Sequence, residues 1–280
     1  MKNKYRVGLS SCSKLLDEAL FADFRAAGID AIEISCGRDE CARLDYAELA
    51  RLSEKYGVEL WSFHLPFAPL SEIEMSCEAT ADATVAYYAG LIRMGSEIGI
   101  KRFVVHPSGE PIAECDRAAR MARSRESLAR LAEVAEKYGA TVAVEDLPRT
   151  CLGRSSDEVM ELISAHPALR VCFDTNHLLA EDPVKFIRAL GDKIVTLHVS
   201  DYDFIDERHW LPGEGDTDWQ ALMDALDEVG YSGVWMYEIT YGASRTISRE
   251  RDLCPADFAK NAAELFAGEP LTVLKSVKTV

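Results

Sequence analysis

Three features that would mark other classes of protein are scarce in this chain. No apolar run approaches the roughly eighteen residues of a membrane-spanning helix, so no membrane segment is expected. Basic residues are few: 31 Lys and Arg stand against 47 Asp and Glu, and the net charge of −16 disfavours nucleic acid and anionic lipid as partners. The eight cysteines are scattered and form no CxxC pair, which predicts reduced thiols in a cytoplasmic protein.

What the chain does contain is a repeated pattern of short apolar runs. Each of eight runs ends on a polar residue, and most of these are ionisable; the ends are Ser10/Ser11, Glu33, His64, His106, Glu145, Asp174, His198 and Glu238. Amphipathic stretches separate the runs, and six of those stretches close on a glycine: Gly28, Gly57, Gly99, Gly139, Gly191 and Gly230. Eight strand–helix repeats predict an α/β fold, a single (β/α)₈ TIM barrel whose strand ends meet at one rim.

The domain organisation follows from length and composition. No Ser-, Gly- or Pro-rich linker divides the 280 residues, and we expect one barrel domain over residues 1–268. Residues 269–280 form a C-terminal extension, apolar enough to pack under the barrel or across a subunit contact. Capping-box pairs place helix starts at Ser155 and at Thr217, and Asp182-Pro183 predicts another start.

Four of the ionisable ends follow one another around the predicted rim. Glu145, Asp174, His198 and Glu238 end the fifth to eighth runs, and three carboxylates with one imidazole suit a divalent cation. Mn²⁺ is the first expectation, ahead of Mg²⁺, Co²⁺ or Zn²⁺. Such a metal could stabilise the enediolate that forms when a proton leaves the carbon next to a carbonyl. Two glutamates on opposite sides of the metal site could remove that proton and return one to the opposite face of the carbon.

Several segments carry a resemblance to a known superfamily. They are Val144–Pro148, Phe173–His177, His198–Asp201 and His209–Gly215. With these segments the chain resembles the xylose isomerase-like barrel superfamily, and within it the sugar phosphate isomerase/epimerase group, which is related to endonuclease IV. The resemblance extends over nearly the whole chain.

The resemblance implies roles for particular residues. Glu145, Asp174, His198 and Glu238 match the metal ligands of the ketose 3-epimerase branch, with Glu145 and Glu238 also acting as acid and base. The other histidines at matching positions, expected to bind substrate, are His64, His106, His177 and His209. From its place in a loop, Trp210 is expected to form a wall against the sugar.

Two other polar residues, Glu33 and Asp201, can each be interpreted in two ways. Glu33 either orients a rim histidine or satisfies backbone at a strand end, and Asp201 either supports a metal ligand or fixes its own loop. Glu214 is expected to pair with an arginine. Three arginines could meet a substrate phosphate or carboxylate: Arg208, Arg245 and Arg249.

The leading hypothesis is a metal-dependent isomerase or epimerase of a small sugar, polyol or keto sugar, with a homo-oligomer expected from the relatives. An inosose dehydratase-like lyase on the same scaffold is an alternative, and its reaction would differ only after the first proton abstraction. Abasic-site DNA repair is the third alternative. It is supported by Glu207-Arg208-His209, which resembles an endonuclease IV motif, and opposed by the acidic charge.

Overall fold

The computed structural model describes residues 4–12, 14–67, 72–242, 246–274 and 276–279. Eight parallel strands form one sheet: β1 (Arg6–Ser10), β2 (Ala31–Ser35), β3 (Glu59–His64), β4 (Arg102–Val105), β5 (Thr141–Glu145), β6 (Arg170–Asp174), β7 (Ile194–His198) and β8 (Val234–Tyr237). Sequential strands pair from β1 to β7, and β1 also pairs with β8. The ring closes just past β7, where Val199 N–H donates to Met236 O at 2.8 Å. The predicted TIM barrel is confirmed.

Helices surround the strands. They are α1 (Glu18–Ala27), α2 (Arg38–Cys41), α3 (Tyr46–Tyr56), α4 (Ala81–Glu97), α5 (Arg117–Glu136), α6 (Ser156–Ile163), α7 (Pro183–Leu190), α8 (Trp219–Glu228) and α9 (Pro255–Ala267). All six glycines predicted at helix–strand junctions have positive φ, from 55° at Gly191 to 97° at Gly99. Within the described residues, no helix combines the length and hydropathy needed to cross a membrane.

Two of the three predicted helix starts are confirmed. Ser155 caps α6 by accepting from Glu158 N–H, and Asp182 caps α7 with Pro183 in the first turn. The start predicted at Thr217 is wrong: α8 is capped by Asp218, whose carboxylate accepts from Ala221 N–H. The reason is tertiary, because the N–H of Thr217 donates to Asp201 in the preceding loop.

The strands are buried on both faces, as their continuous apolar sequences predict. The barrel interior below the rim contains Ala31, Trp61, Val234 and Met236. Strand β2 continues two residues past Glu33, with a register shift against β3 between Ile32 and Glu33. The carboxylate of Glu33 is therefore held inside the barrel mouth, where its side chain is fully buried.

The C-terminal extension packs against loops that follow β8 and β7. Its strand β10 (Ser276–Lys278) pairs antiparallel with β9 (Ile247–Arg249). A Cβ placed on Gly213 would lie 3.0 Å from Leu271, so the extension contacts the Pro-Gly-Glu-Gly turn directly. This position beside the loops of the barrel mouth differs from the expected packing under the barrel, and the expected subunit contact stays a prediction.

Candidate metal centre and substrate pocket

The ends of β5 to β8 bring four side chains together. One ligand atom from each of Glu145, Asp174, His198 and Glu238 lies within 4.8 Å of the others. His198 Nδ1 lies 3.0 Å from Glu145 Oε1, 3.2 Å from Glu238 Oε2 and 3.8 Å from Asp174 Oδ2. Three of the four side chains are completely buried, and Glu238 is 16% exposed. The set of residues expected around a metal is therefore one compact cluster.

The chemistry of this cluster fits a divalent cation. Asp174 Oδ2 is buried and has no hydrogen-bond partner among the described residues. Its other oxygen accepts from Asn176 N–H at 2.7 Å, which fixes the carboxylate. A buried carboxylate oxygen without a donor is costly unless a cation meets it. Three carboxylates converging on one imidazole nitrogen supply the oxygen and nitrogen donors that Mn²⁺, Mg²⁺ or Co²⁺ accept.

Two further histidines contact the same glutamate from the ends of β3 and β4. His64 Nε2 lies 3.1 Å and His106 Nε2 3.3 Å from Glu145 Oε2. The rings of His64 and His198 stack with centroids 5.5 Å apart. His64 is buried, whereas His106 is partly exposed and can meet a ligand.

A second group lies beside the first, formed by His177, Glu207 and His209. Its centre is Glu207, whose Oε1 lies 2.9 Å from His209 Nε2 and 3.8 Å from His177 Nε2. His177 Nδ1 is 2.7 Å from the carbonyl of Asp146, which fixes the ring. Five of the six histidines in the sequence are thus in or next to one site. Glu207 was not among the site residues expected from the sequence, although it belongs to the Glu-Arg-His motif.

A pocket of about 230 Å³ adjoins these groups. Its wall includes Phe67, His106, Leu147, Cys151, His177 and Glu207. Arg149 lies at its edge with φ of 53° and contacts Glu110 at 2.6 Å, Asp206 at 2.7 Å and Glu207 at 2.9 Å. No sequence motif singled out Arg149. A larger open groove, about 640 Å³, lies at the other end of the barrel and away from the cluster.

The loop after β7 is organised by Asp201, which resolves one open interpretation. Its carboxylate accepts from the N–H groups of Gly213 at 2.8 Å, Gly215 at 2.9 Å and Thr217 at 3.2 Å. It also accepts from Trp219 Nε1 at 3.2 Å. Asp201 therefore fixes its own loop.

Trp210, expected to be a wall against a sugar, is fully buried. Its indole N–H donates to Thr246 Oγ1 at 3.0 Å, and its backbone pairs with Asp201. These contacts stabilise the loop and leave no accessible surface of the ring. These contacts do not support the expected contact between Trp210 and a substrate.

The arginines considered for a substrate anion are already paired or lie outside the described residues. Arg208 Nη2 is 2.9 Å from Asp203 Oδ2, and Arg249 Nη2 is 2.8 Å from Glu214 Oε2. The expected pairing of Glu214 with an arginine is thereby confirmed. Arg245 lies outside the described residues.

Burial and neighbouring charges shift the pKa values of several side chains in this cluster. Burial raises the pKa of Asp174 to about 7; the carboxylates of Glu238 and Glu145 add to the effect, and His177 opposes it. For His64, burial favours the neutral ring, but the hydrogen bond and charge of Glu145 raise its pKa to about 9. Burial lowers the pKa of His198, but the carboxylates of Glu238, Glu33 and Glu145 outweigh it and raise this pKa well above its usual value. These shifts favour the protonated forms of Asp174, His64 and His198.

Comparison with known proteins identifies the family. Residues 21–257 match the family described as xylose isomerase-like TIM barrel. The chain belongs to this family. The expected superfamily is therefore confirmed.

Relatives of this family member include several sugar epimerases. It is 24% identical over 279 residues to a D-psicose 3-epimerase of Enterocloster bolteae, covering 87% of each chain. It is 28% identical over 149 residues to a fructoselysine 3-epimerase of Escherichia coli O157:H7, and that match covers 48% of this chain and 54% of the relative. A solved D-tagatose 3-epimerase-like protein superposes with a TM-score of 0.79 at 23% identity, covering 94% of this chain and 97% of that one.

Proposed function

We propose that this protein is a divalent-metal-dependent epimerase or isomerase of a small sugar, polyol or keto sugar. The observation that carries the proposal is the convergence of Glu145, Asp174 and Glu238 on His198 Nδ1. Family membership and the sugar epimerases among the relatives support the same class of reaction.

Glu145, Asp174, His198 and Glu238 would hold the cation, with Mn²⁺ the first candidate. A bound divalent cation would polarise the carbonyl and neighbouring hydroxyl oxygens of a sugar and so acidify the hydroxyl-bearing carbon next to the carbonyl. Glu145 and Glu238 flank the same imidazole nitrogen, at 3.0 and 3.2 Å. One carboxylate would take the proton from this carbon and the other would return one to the opposite face, which inverts the centre.

The remaining residues around the pocket would orient and enclose the substrate. His106 and His177 line the pocket and would donate hydrogen bonds to sugar hydroxyls. His209 lies against Glu238 O at 3.2 Å and would position a hydroxyl near that glutamate. His64, buried beneath them, would act through Glu145. The substrate contact expected for Trp210 stays a prediction without support from its contacts.

Solvent exchange tests the proposal directly. The Mn²⁺-loaded protein is incubated with ketohexoses in D₂O, and deuterium next to the carbonyl is measured by NMR. We expect incorporation with epimerisation, and a loss of about 10²–10⁴-fold in Glu145→Gln and Glu238→Gln, the usual contribution of a positioned acid or base. Glu228→Gln, an exposed partner of Arg188, is the matched control and should keep full activity. Unchanged exchange in both site variants would contradict the roles assigned to the glutamates.

The lyase alternative shares the first step and differs in its product. One relative, an inosose isomerase of Bacillus velezensis, is 27% identical over 127 residues. A keto-inositol substrate therefore belongs in the same screen. An ultraviolet-absorbing product lacking one water would assign the protein to dehydration, whereas an epimer of equal mass assigns it to isomerisation.

A second candidate function has one specific observation in its favour. Besides the four-residue cluster, the groups that could hold a metal include His64 with His106 and Glu145, and His177 with Glu207 and His209. Three neighbouring sites suit phosphodiester cleavage. The net charge of −16 opposes DNA binding. Metal counting by mass spectrometry separates the candidates, since one metal per chain supports the epimerase. Two or three zinc ions together with nicking of abasic duplex DNA would support the nuclease.

Three expectations from the sequence stay predictions. They are a cytoplasmic location, a homo-oligomeric state, and the division into a barrel over residues 1–268 and an extension over residues 269–280. Size-exclusion chromatography with light scattering tests the second.

A further inference from the structure

We infer that Glu33, on β2, is a positioning residue that holds the ring of His198 in the tautomer required for metal binding. The inference rests on the proposed function, because it concerns the same metal centre. It adds a residue from the opposite side of the barrel to the four that would contact the metal.

The geometry assigns the two nitrogens of His198 to different partners. Nδ1 faces the three carboxylates of the cluster, whereas Nε2 lies 3.1 Å from Glu33 Oε2. An ionised carboxylate can only accept a hydrogen bond. The Nε2 atom must therefore carry the proton, and in the neutral ring the lone pair is on Nδ1, pointing at the cluster.

Glu33 is itself held in place. Ser62, on β3, donates its hydroxyl to the same oxygen of Glu33 at 2.8 Å. Glu33, Ser62 and His198 are all completely buried, so water does not compete for these hydrogen bonds. The register shift between β2 and β3 falls at Ile32/Glu33, directly at this contact.

The arrangement costs stability that a purely structural contact would not require. Glu33 Oε1 is buried and has no hydrogen-bond partner among the described residues. A buried carboxylate with one unpaired oxygen is unfavourable in an apolar barrel. Its negative charge next to Nε2 makes the imidazole a stronger donor to a cation at Nδ1, which is the usual action of a carboxylate behind a metal-binding histidine.

The test measures metal affinity and the tautomer separately. Mn²⁺ dissociation constants are obtained by electron paramagnetic resonance for the wild type and for Glu33→Gln, Glu33→Leu and Ser62→Ala. The ¹⁵N signals of His198 are recorded in the Mg²⁺-loaded proteins. Glu33→Gln keeps an acceptor oxygen of the same size without the charge, whereas Glu33→Leu removes the acceptor.

We expect Mn²⁺ binding to weaken roughly 10-fold in Glu33→Gln and up to about 100-fold in Glu33→Leu, the range found for such outer partners. Only Glu33→Leu should lose the Nε2–H signature of His198. Ser62→Ala should weaken binding less than Glu33→Gln, because the contact to His198 remains. Asp30→Asn is the matched control: Asp30 precedes the same strand and accepts from Val7 N–H at 3.0 Å, far from the rim.

Wild-type affinity and an unchanged tautomer in both folded Glu33 variants would overturn the inference and leave the proposed function intact. Failure of the wild type to bind any divalent cation would instead overturn the proposed function, and this inference with it. Near-ultraviolet circular dichroism against Asp30→Asn shows whether each variant is folded. If Glu33→Leu does not fold, Glu33→Gln and Ser62→Ala decide the outcome.

Discussion

The ion pair between Arg249 and Glu214 predicts a large and specific loss of stability when one partner is removed. Both side chains are almost inaccessible, 1% and 0% exposed. Two hydrogen bonds join them, from Arg249 Nε at 3.0 Å and Nη2 at 2.8 Å. Arg249→Met leaves the carboxylate of Glu214 buried without its counter-charge, and removing one partner of such a pair costs about 3–5 kcal/mol.

The double variant Glu214→Gln/Arg249→Met separates charge from packing. It leaves no unpaired charge, so it should be at least about 1 kcal/mol more stable than Arg249→Met alone. The assay is urea unfolding monitored by circular dichroism, with thermal midpoints as a second readout. A loss of 3–5 kcal/mol corresponds to roughly 6–20 °C in a chain of this size.

Arg251→Met is the control, because Arg251 is 49% exposed and pairs with Asp257 at the surface. A surface pair of this kind contributes no more than about 1 kcal/mol. A loss of stability in Arg249→Met no larger than that in Arg251→Met would contradict a special cost of breaking the buried pair. A double variant no more stable than Arg249→Met would contradict the cost assigned to the unpaired carboxylate of Glu214.

Two further predictions concern the metal centre and the loop beside it. Burial raises the pKa of Asp174 to about 7, and the pKa of His198 is raised well above its usual value, so a cation that binds both side chains must displace both protons. Mn²⁺ affinity should therefore fall by at least about tenfold per pH unit below 7 and should still rise with pH above 7, because His198 keeps its proton there; calorimetric titrations from pH 5 to 8.5 check the slope, and a flat profile would contradict the raised pKa values. In Gly215→Ala, the new Cβ would lie 2.3 Å from both Asp201 Oδ1 and Tyr202 O, so the loop must move; we expect a loss of about 1–3 kcal/mol in urea unfolding, whereas wild-type stability would show that the loop adapts freely.

Much of the fold could be predicted because it is recorded locally in the chain. A continuous apolar run followed by an amphipathic stretch and a glycine needs only nearest-neighbour chemistry to form a strand, a helix and a turn. The cluster residues could be predicted for the same reason. In a parallel barrel, Glu145 and Glu238 reach the same rim simply because each ends or follows its strand.

The details that failed depend on residues distant in sequence. Thr217 looks like a helix cap, but Asp201, sixteen residues earlier, takes its N–H, and Asp218 caps the helix instead. Trp210 looks like an exposed loop aromatic, yet it is buried by contacts with residues after β8. Asp201 lies too far from Thr217 in the sequence, and the residues after β8 too far from Trp210, for these contacts to be predicted from a short stretch of sequence.

The barrel, its rim and the chemical types of the side chains there could be predicted from the sequence, because the order of the strands and the identity of each side chain are properties of the sequence. The folded structure was needed to show which atoms face one another. It showed that Glu33 reaches across the barrel to Nε2 of His198 while three carboxylates share Nδ1, and that β10 joins β9 beside the mouth. Barrel closure and burial set the distances between residues far apart in sequence, such as Glu33 and His198 at 165 positions, and these distances follow from packing of the whole chain.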